Sequence, residues 1–161
     1  MLIRSATLSD AHAIATIYNE AIENTTATFD TEIKSVTNRE EWIKQHSDKY
    51  PVVVVEVNNE VVGFASMTRW SDRCAYDDTA EVSIYLSPTF HNQGIGKKLM
   101  FAIMDAGKKG GLHCVLSRIT QGNEKSIHLH KIVGFETVGV MKEVGRKFGN
   151  ILDVTMMQLL Y

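Results

Sequence analysis

The run Ala80–Lys98, AEVSIYLSPTFHNQGIGKK, limits what the rest of this chain can become. Val82, Ile84 and Leu86 alternate with Ser83 and Tyr85, the period of two that marks a strand. Pro88 ends it, since proline brings no N–H to a ladder. Asn92, Gln93, Gly94, Ile95 and Gly96 then lead into Lys97, Lys98, Leu99, Met100, Ile103 and Met104 at helical spacing. A glycine turn entering a helix leaves backbone N–H groups unpaired, with the positive end of the helix dipole behind them. Such a turn is a site for phosphate. Glycine matters there because a side chain would hold a pyrophosphate off the backbone. Turns of this kind also occur without a ligand, and neither a Walker loop nor the three-glycine dinucleotide fingerprint is present.

The flanking chain supplies the context. Leu2–Ala6 reads as a short strand, and Ser9 as the cap of a helix carrying Ala13, Ile14, Ile17, Tyr18, Ala21 and Ile22. Asn24–Asp30 is a loop and Asn38–His46 a second short helix. Pro51 opens a strand over 52–57, which Asn58-Asn59 turns back into a strand over 61–68. Trp70–Asp78 is a loop. Gly110-Gly111 ends the helix from Gly94, His113–Ile119 is an apolar strand, and Thr120–Asn123 is a loop. Glu124–Ile132 is a short helix closed by Gly134, and strands over 135–144 and 151–160 are joined across Gly145–Asn150. This order predicts one domain over residues 1–161 with an α/β (α+β) layer architecture. Its mixed sheet has helices on both faces and parallel strands near the middle. The helix from Gly94 is the crossover that the parallel pair Thr79–Leu86 and His113–Ile119 requires. Ligands of such sheets bind beyond the carboxyl ends of strands that part, where Gly94–Gly96 and Thr120–Asn123 converge.

Composition narrows the partners. A net charge of −2 gives no footprint for nucleic acid or an anionic membrane. Cys74 and Cys114 are too few and too scattered for a disulfide framework or a zinc site, so no metal is expected. The first residues, with Arg4 and Asp10, lack the apolar core of a signal peptide, and no apolar run approaches the ~20 residues of a membrane span. A cytoplasmic protein is expected.

With these elements in order, the chain resembles the GNAT superfamily of acyl-CoA-dependent N-acetyltransferases over essentially its whole length. That family's pyrophosphate motif, Q/R-x-x-G-x-G/A, corresponds to His91-Asn92-Gln93-Gly94-Ile95-Gly96, with His91 in place of the usual Arg or Gln. Asn123, Ser126, Leu129, His130 and Gly134-Phe135 fit the second half of the signature. Within the superfamily the chain is most similar to the phosphinothricin acetyltransferase group, which includes methionine sulfoximine and methionine sulfone acetyltransferases. The shared features are Ile17–Ala21, Thr26–Phe29, Ala75-Tyr76, Thr79–Glu81, Tyr85–Pro88, Lys147–Asn150 and Asp153. Ser71, Phe148 and Ile151 depart from the phosphinothricin enzymes, so the resemblance does not extend to phosphinothricin itself as substrate.

The resemblance implies a mostly antiparallel sheet whose central parallel pair splays apart around acetyl-CoA. Ile84, Tyr85 and Leu86 would pair with the pantetheine arm as an added strand. His91, Asn92, Gln93, Gly94, Ile95, Gly96 and Lys97 would cradle the pyrophosphate, with Asn123 and Ser126 near the thioester. Glu81 is implied as general base for the amine and His130 as acid for the thiolate. By residue type alone, Glu81 reads first as a strand-surface carboxylate paired with a lysine, and His130 equally as a helix-surface histidine. An ordinary glutamate, titrating near ~4.3, is a weak base, so its surroundings or a water relay must help. Phe29, Arg73, Cys74, Ala75, Tyr76, Lys147 and Phe148 are the candidate substrate contacts. Arg73 or Arg146 would meet the carboxylate of an amino-acid-like substrate. The implied activity is acetylation of the α-amine of a small amino acid or analogue, by a homodimer. The alternatives are a peptide N-terminal acetyltransferase and a non-catalytic CoA-binding regulatory module.

Overall fold

The run of valines before the hairpin shows how the layers form. In the computed structural model, which describes residues 1–161, Val52–Val57 (β2) returns through Asn58-Asn59 into Glu60–Arg69 (β3). Both asparagines take positive φ, 51° and 66°, as a two-residue type I′ turn demands. Val52 to Val55 are all buried because an inner strand has two faces to cover. Val53 and Val55 join Ala65 and Met67 on one face, and Val54 joins Phe64 on the other. Ile95–Lys109 (α3) covers the first face with Leu99, Met100, Ile103 and Met104. Ala11–Asn24 (α1) covers the second with Ile14 and Ile17, and Val36–Lys44 (α2) adds Trp42 and Ile43 beside them. Helices therefore flank both faces, as expected.

Leu2–Ser5 (β1), Thr79–Leu86 (β4), Cys114–Thr120 (β5), Glu136–Lys147 (β6) and Asn150–Leu160 (β7) complete a seven-stranded sheet. Its order is β1-β2-β3-β4-β5-β7-β6, and only β4 and β5 are parallel. That pairing is short: Thr79–Glu81 faces Cys114–Leu116, and there it stops. β4 stays paired with β3 as far as Leu86, and β5 with β7 as far as Thr120. Beyond Glu81 and Leu116 the two strands keep their outer neighbours and turn their inner edges to a wedge-shaped gap. Glu124–Ile132 (α4), capped by the Asn123 side chain, starts beside it.

Among the boundaries that differ from the sequence-based expectation, three have a clear local cause. Thr7, rather than Ser9, caps the first helical segment. Its N–H and hydroxyl donate to the Asp10 carboxylate at 2.7 and 3.1 Å, at a 3₁₀ turn over Leu8–Asp10 that runs into α1. α2 begins at Val36 because the Ser35 hydroxyl accepts the Asn38 N–H. β6 and β7 continue through Gly145 to a two-residue turn, Phe148-Gly149, with both φ positive.

The Asp10 cap is also an electrostatic clasp. Asp10 is 5% exposed, and the Arg4 guanidinium donates to both its oxygens at 2.8 Å while also holding Glu56. The Arg4 hydrogen bonds hold the Asp10 carboxyl below its ordinary value. A depressed carboxyl contributes stability above the unfolded-state pKa and loses it as pH falls through the folded one. Asp10→Asn is expected to cost about 2 kcal/mol at neutral pH. It should also flatten the acid side of the stability curve below about pH 4. Urea unfolding across that range checks both; a variant as stable as wild type at neutral pH would rule the clasp out.

Candidate active site

The gap between β4 and β5 opens into two cavities of about 520 and 540 Å³ that share Ala27, Ile84, Tyr85, Asn123 and Ser126 as a common border. The larger is bordered by His91, Asn92, Gly94, Gly96 and Lys97 at the start of α3. The other is bordered by Phe29, Asp30, Glu81, Ser117, Arg118 and His130.

At the α3 end, Gly94 has φ 75°, a left-handed conformation that would strain other residues. Gly96 has no such backbone requirement, and a Cβ built there meets nothing within 4 Å. Packing therefore does not demand this glycine; the bare backbone borders the cavity. The N–H groups of Ile95, Gly96 and Lys97 fall in the first helical turn, where the helix provides no acceptor. Lys97 and Lys125 bring positive charge to the same cavity. These residues fit a pyrophosphate. The His91 ring pins the turn by its Nε2 contact with the Leu86 carbonyl at 2.8 Å. Gln93 and Ile95 are turned away: the Gln93 amide donates to the Thr89 carbonyl at 3.0 Å, and Ile95 is buried in the core. Any contact they make with a ligand comes from the backbone. Along β4, Ile84–Leu86 borders the cavity with an edge that β5 leaves unpaired.

Glu81 stands at the apex, the last β4 residue paired with β5. Arg118, two residues past the last paired β5 residue, reaches back to it with Nε donating to Oε1 at 2.7 Å and Nη2 to Oε2. The partner is thus an arginine rather than the lysine that a surface carboxylate suggested. The Arg118 guanidinium also lies over the Trp70 ring, 5.6 Å from its centroid. A carboxylate has about four lone-pair sites, so this grip leaves Glu81 free to accept more hydrogen bonds.

His130 is set differently from the expected acid. It is 2% exposed, and burial pushes the imidazole below its ordinary value, so it is neutral near pH 7. Nδ1 lies 2.7 Å from the Ser126 carbonyl, which only accepts, so Nδ1 carries the proton. Nε2 then accepts the Ser117 hydroxyl at 2.9 Å. No imidazole N–H points at the cleft. In this arrangement the imidazole, expected as proton donor to a thiolate, is a buried group that fixes Ser117.

Most of the expected substrate contacts lie elsewhere. Phe29 does border the cleft. It rests on the bare backbone of Gly145, where a Cβ would come within 2.0 Å of its ring. Arg73, Cys74, Ala75 and Tyr76 do not border it. Their loop is drawn toward the segment before β2, where the Tyr50 hydroxyl donates to the Asp77 carbonyl at 2.6 Å and Lys49 pairs with Asp78 at 2.7 Å. Lys147 is 3% exposed, and its ammonium donates to the Thr28 carbonyl at 2.8 Å, so it holds the 25–30 loop. Phe148 and Arg146 are exposed on the β6–β7 hairpin, away from the cleft. Sequence reasoning missed Arg118, Ser117, Tyr18 and Asp30. Arg118 carried a signal, being the one charge in the strand CVLSRIT, near its carboxyl end. Tyr18 donates to Asp30 at 2.7 Å and bonds Thr28 at 2.9 Å. Burial pushes its phenol up to about 12, so it stays protonated.

An extended ligand laid along the free edge of β4, with its phosphates on the α3 amides, is what an acyl-CoA-dependent N-acetyltransferase must accommodate. Residues 3–156 match the acetyltransferase (GNAT) domain family, and the chain belongs to it. It is 38% identical over 160 residues to the L-amino acid N-acyltransferase MnaT of Escherichia coli, covering 99% of this chain and 93% of that protein. It is 37% identical over 159 residues to the L-methionine sulfoximine/L-methionine sulfone acetyltransferase of Pseudomonas paraeruginosa, covering 98% and 92%. A Salmonella typhimurium acetyltransferase solved with its cofactor acetyl-CoA superposes with a TM-score of 0.96 at 37% identity, covering 99% of this chain and 93% of that one. A ribosomal-protein-alanine N-acetyltransferase of Brucella melitensis gives 0.96 at 35% identity, with both chains fully covered. No helix is long and apolar enough to cross a membrane.

Proposed function

We propose that this chain is a single catalytic domain that moves the acetyl group of acetyl-CoA to the α-amine of a small amino acid or analogue. The class is that of methionine sulfoximine, methionine sulfone and phosphinothricin. The observation that carries this is Glu81 at the apex of the gap, in a cleft that shares its border with the phosphate cradle. An α-amine has a pKa near ~8 and is mostly protonated at neutral pH, so a base must take a proton before nitrogen can attack. Glu81, steadied by Arg118, accepts that proton directly or through water. Acetyl-CoA supplies the activated thioester. The β4 edge at Ile84–Leu86 holds the ligand extended, and Asn92–Lys97 anchors its phosphates. Asn123 and Ser126, bordering both cavities, flank the reacting end. A thiol ionises near ~8.5, so the thiolate leaves without a dedicated acid.

The test is release of free CoA thiol from acetyl-CoA across methionine sulfoximine, methionine sulfone, phosphinothricin, methionine and a short peptide with a free N-terminus. Saturable turnover with a free amino acid supports the reading. Turnover with the peptide alone moves the activity to protein N-termini. Tight acetyl-CoA binding without turnover of any amine favours a regulatory module.

The two unpaired cysteines fit a reducing, cytoplasmic setting. A homodimer is supported by the edge strand β6, which leaves Val138 and Val140 exposed at the open side of the sheet. An open apolar edge of this kind favours association. Sedimentation should give a dimer that Val140→Glu weakens; a monomeric wild type overturns it.

A further inference from the structure

Arg118 is the only permanently cationic side chain bordering the cleft that contains Glu81; the other charged ones are Glu81 and Asp30. Asp30 is already engaged by Tyr18 and Lys34. Arg118 is roughly half exposed although it is ion-paired. Glu81 occupies only the Nε and one Nη2 hydrogen. Both Nη1 hydrogens and the second on Nη2 have no partner, and these form the other bidentate edge of the guanidinium. The Trp70 ring beneath the guanidinium and the Glu81 carboxylate beside it fix the direction of that edge.

From this we infer that Arg118 is the carboxylate-binding residue for the acceptor, and that the Glu81–Arg118 pair recognises an α-amino acid as a zwitterion. The acceptor's carboxylate takes the free Nη edge of Arg118, and its ammonium takes the remaining lone pairs of Glu81. Opposite charges on adjacent groups of the substrate meet opposite charges on adjacent groups of the protein. The contact places the nitrogen on the candidate base without breaking the resident ion pair. It also selects against acceptors whose amine has no neighbouring carboxylate, including peptide N-termini. This rests on the acetyltransferase reading above and specifies its substrate class. It replaces Arg73 and Arg146, neither of which borders the cleft.

The experiment compares L-methionine sulfone with its carboxamide as acceptors for wild type, Arg118→Gln and Arg118→Lys. Wild type is expected to prefer the free acid by about 50–100-fold in kcat/KM, the loss expected for a charge-assisted bidentate contact. In Arg118→Gln that preference should collapse to within about 3-fold, and Arg118→Lys, which keeps the charge without the fork, should fall between. The ratio cancels any general effect of loosening Glu81, and an unchanged melting temperature shows that the fold survives. If wild type acetylates acid and amide equally, or if Arg118→Gln keeps the preference, the carboxylate site is overturned while the acetyltransferase reading stands. If no α-amine is acetylated at all, that reading fails and the site falls with it.

Discussion

Glu81→Gln is expected to lower kcat by roughly 10²–10⁴-fold, the usual contribution of a positioned general base. Acetyl-CoA should bind as well as it does to wild type. The two effects separate because Glu81 borders the cleft beyond the gap's apex and not the cavity at the start of α3. Glutamine preserves shape and one acceptor oxygen, so the change removes chiefly the capacity to take a proton. It also leaves Arg118 without its carboxylate, which is expected to alter the KM for the amine. The decisive quantity is therefore kcat, measured at saturating amine. An undiminished kcat would remove Glu81 from the chemistry. A fall in acetyl-CoA affinity of the same size as the fall in rate would mean that the substitution had disturbed the gap.

The second large effect is a dissociation between stability and binding at Gly96. In the first turn of a helix, glycine is disfavoured relative to alanine, so Gly96→Ala should stabilise the folded chain by about 0.5 kcal/mol. No neighbour within 4 Å resists the added methyl. The same methyl stands where a pyrophosphate must approach the amides. The loss of one or two charge-assisted hydrogen bonds weakens acetyl-CoA binding by about 10–100-fold, and Gly96→Val by more. Thermal unfolding with and without acetyl-CoA reads both quantities at once. A variant that melts higher alone, yet gains little from the ligand, is the expected result. One that binds as wild type would mean that the phosphates lie elsewhere. Gly94→Ala would be a poorer probe, because its φ of 75° mixes backbone strain into the measurement.

What the sequence made legible was local. The strand, turn and helix from Thr79 to Lys109 follow from period, proline and glycine, and the Asn58-Asn59 hairpin follows from two residues that tolerate positive φ. That the residues bordering the cavity at the start of α3 come together could be anticipated, because they lie largely within one strand-turn-helix unit and the loop after the next strand. The cleft around Glu81 could not, because it is assembled by distant registers. Arg118 meets Glu81 only because Glu81 stands opposite Leu116 and the strands then part. Lys147 is buried because the 25–30 loop crosses it, 119 residues away in sequence. No periodicity encodes that crossing, so a lysine beside an exposed hairpin tip looks available to substrate. His130 escapes sequence reasoning for a related cause. Its helix position is clear, but its tautomer depends on a carbonyl and a hydroxyl that only packing brings together.

The short union of β4 with β5 also governs how the molecule comes apart. The backbone ladder between two blades, β1 to β4 on one side and β5, β7 and β6 on the other, is three residue pairs long, and side-chain bridges such as Arg118 to Glu81 and Lys147 to the Thr28 carbonyl carry the rest of the union. Within each blade the ladders are far longer; β5 and β7 alone share seven pairs, from Cys114 with Leu160 to Thr120 with Val154. A ladder this short is expected to open more readily than its longer neighbours. Amide hydrogens along the inner edges of the two blades should exchange before those facing β3 or β7. On the proposed function, a ligand lying in the seam between the blades would bond to one and pack against the other, acting as a rivet. The molecule's mechanical integrity would then rise and fall with each catalytic cycle.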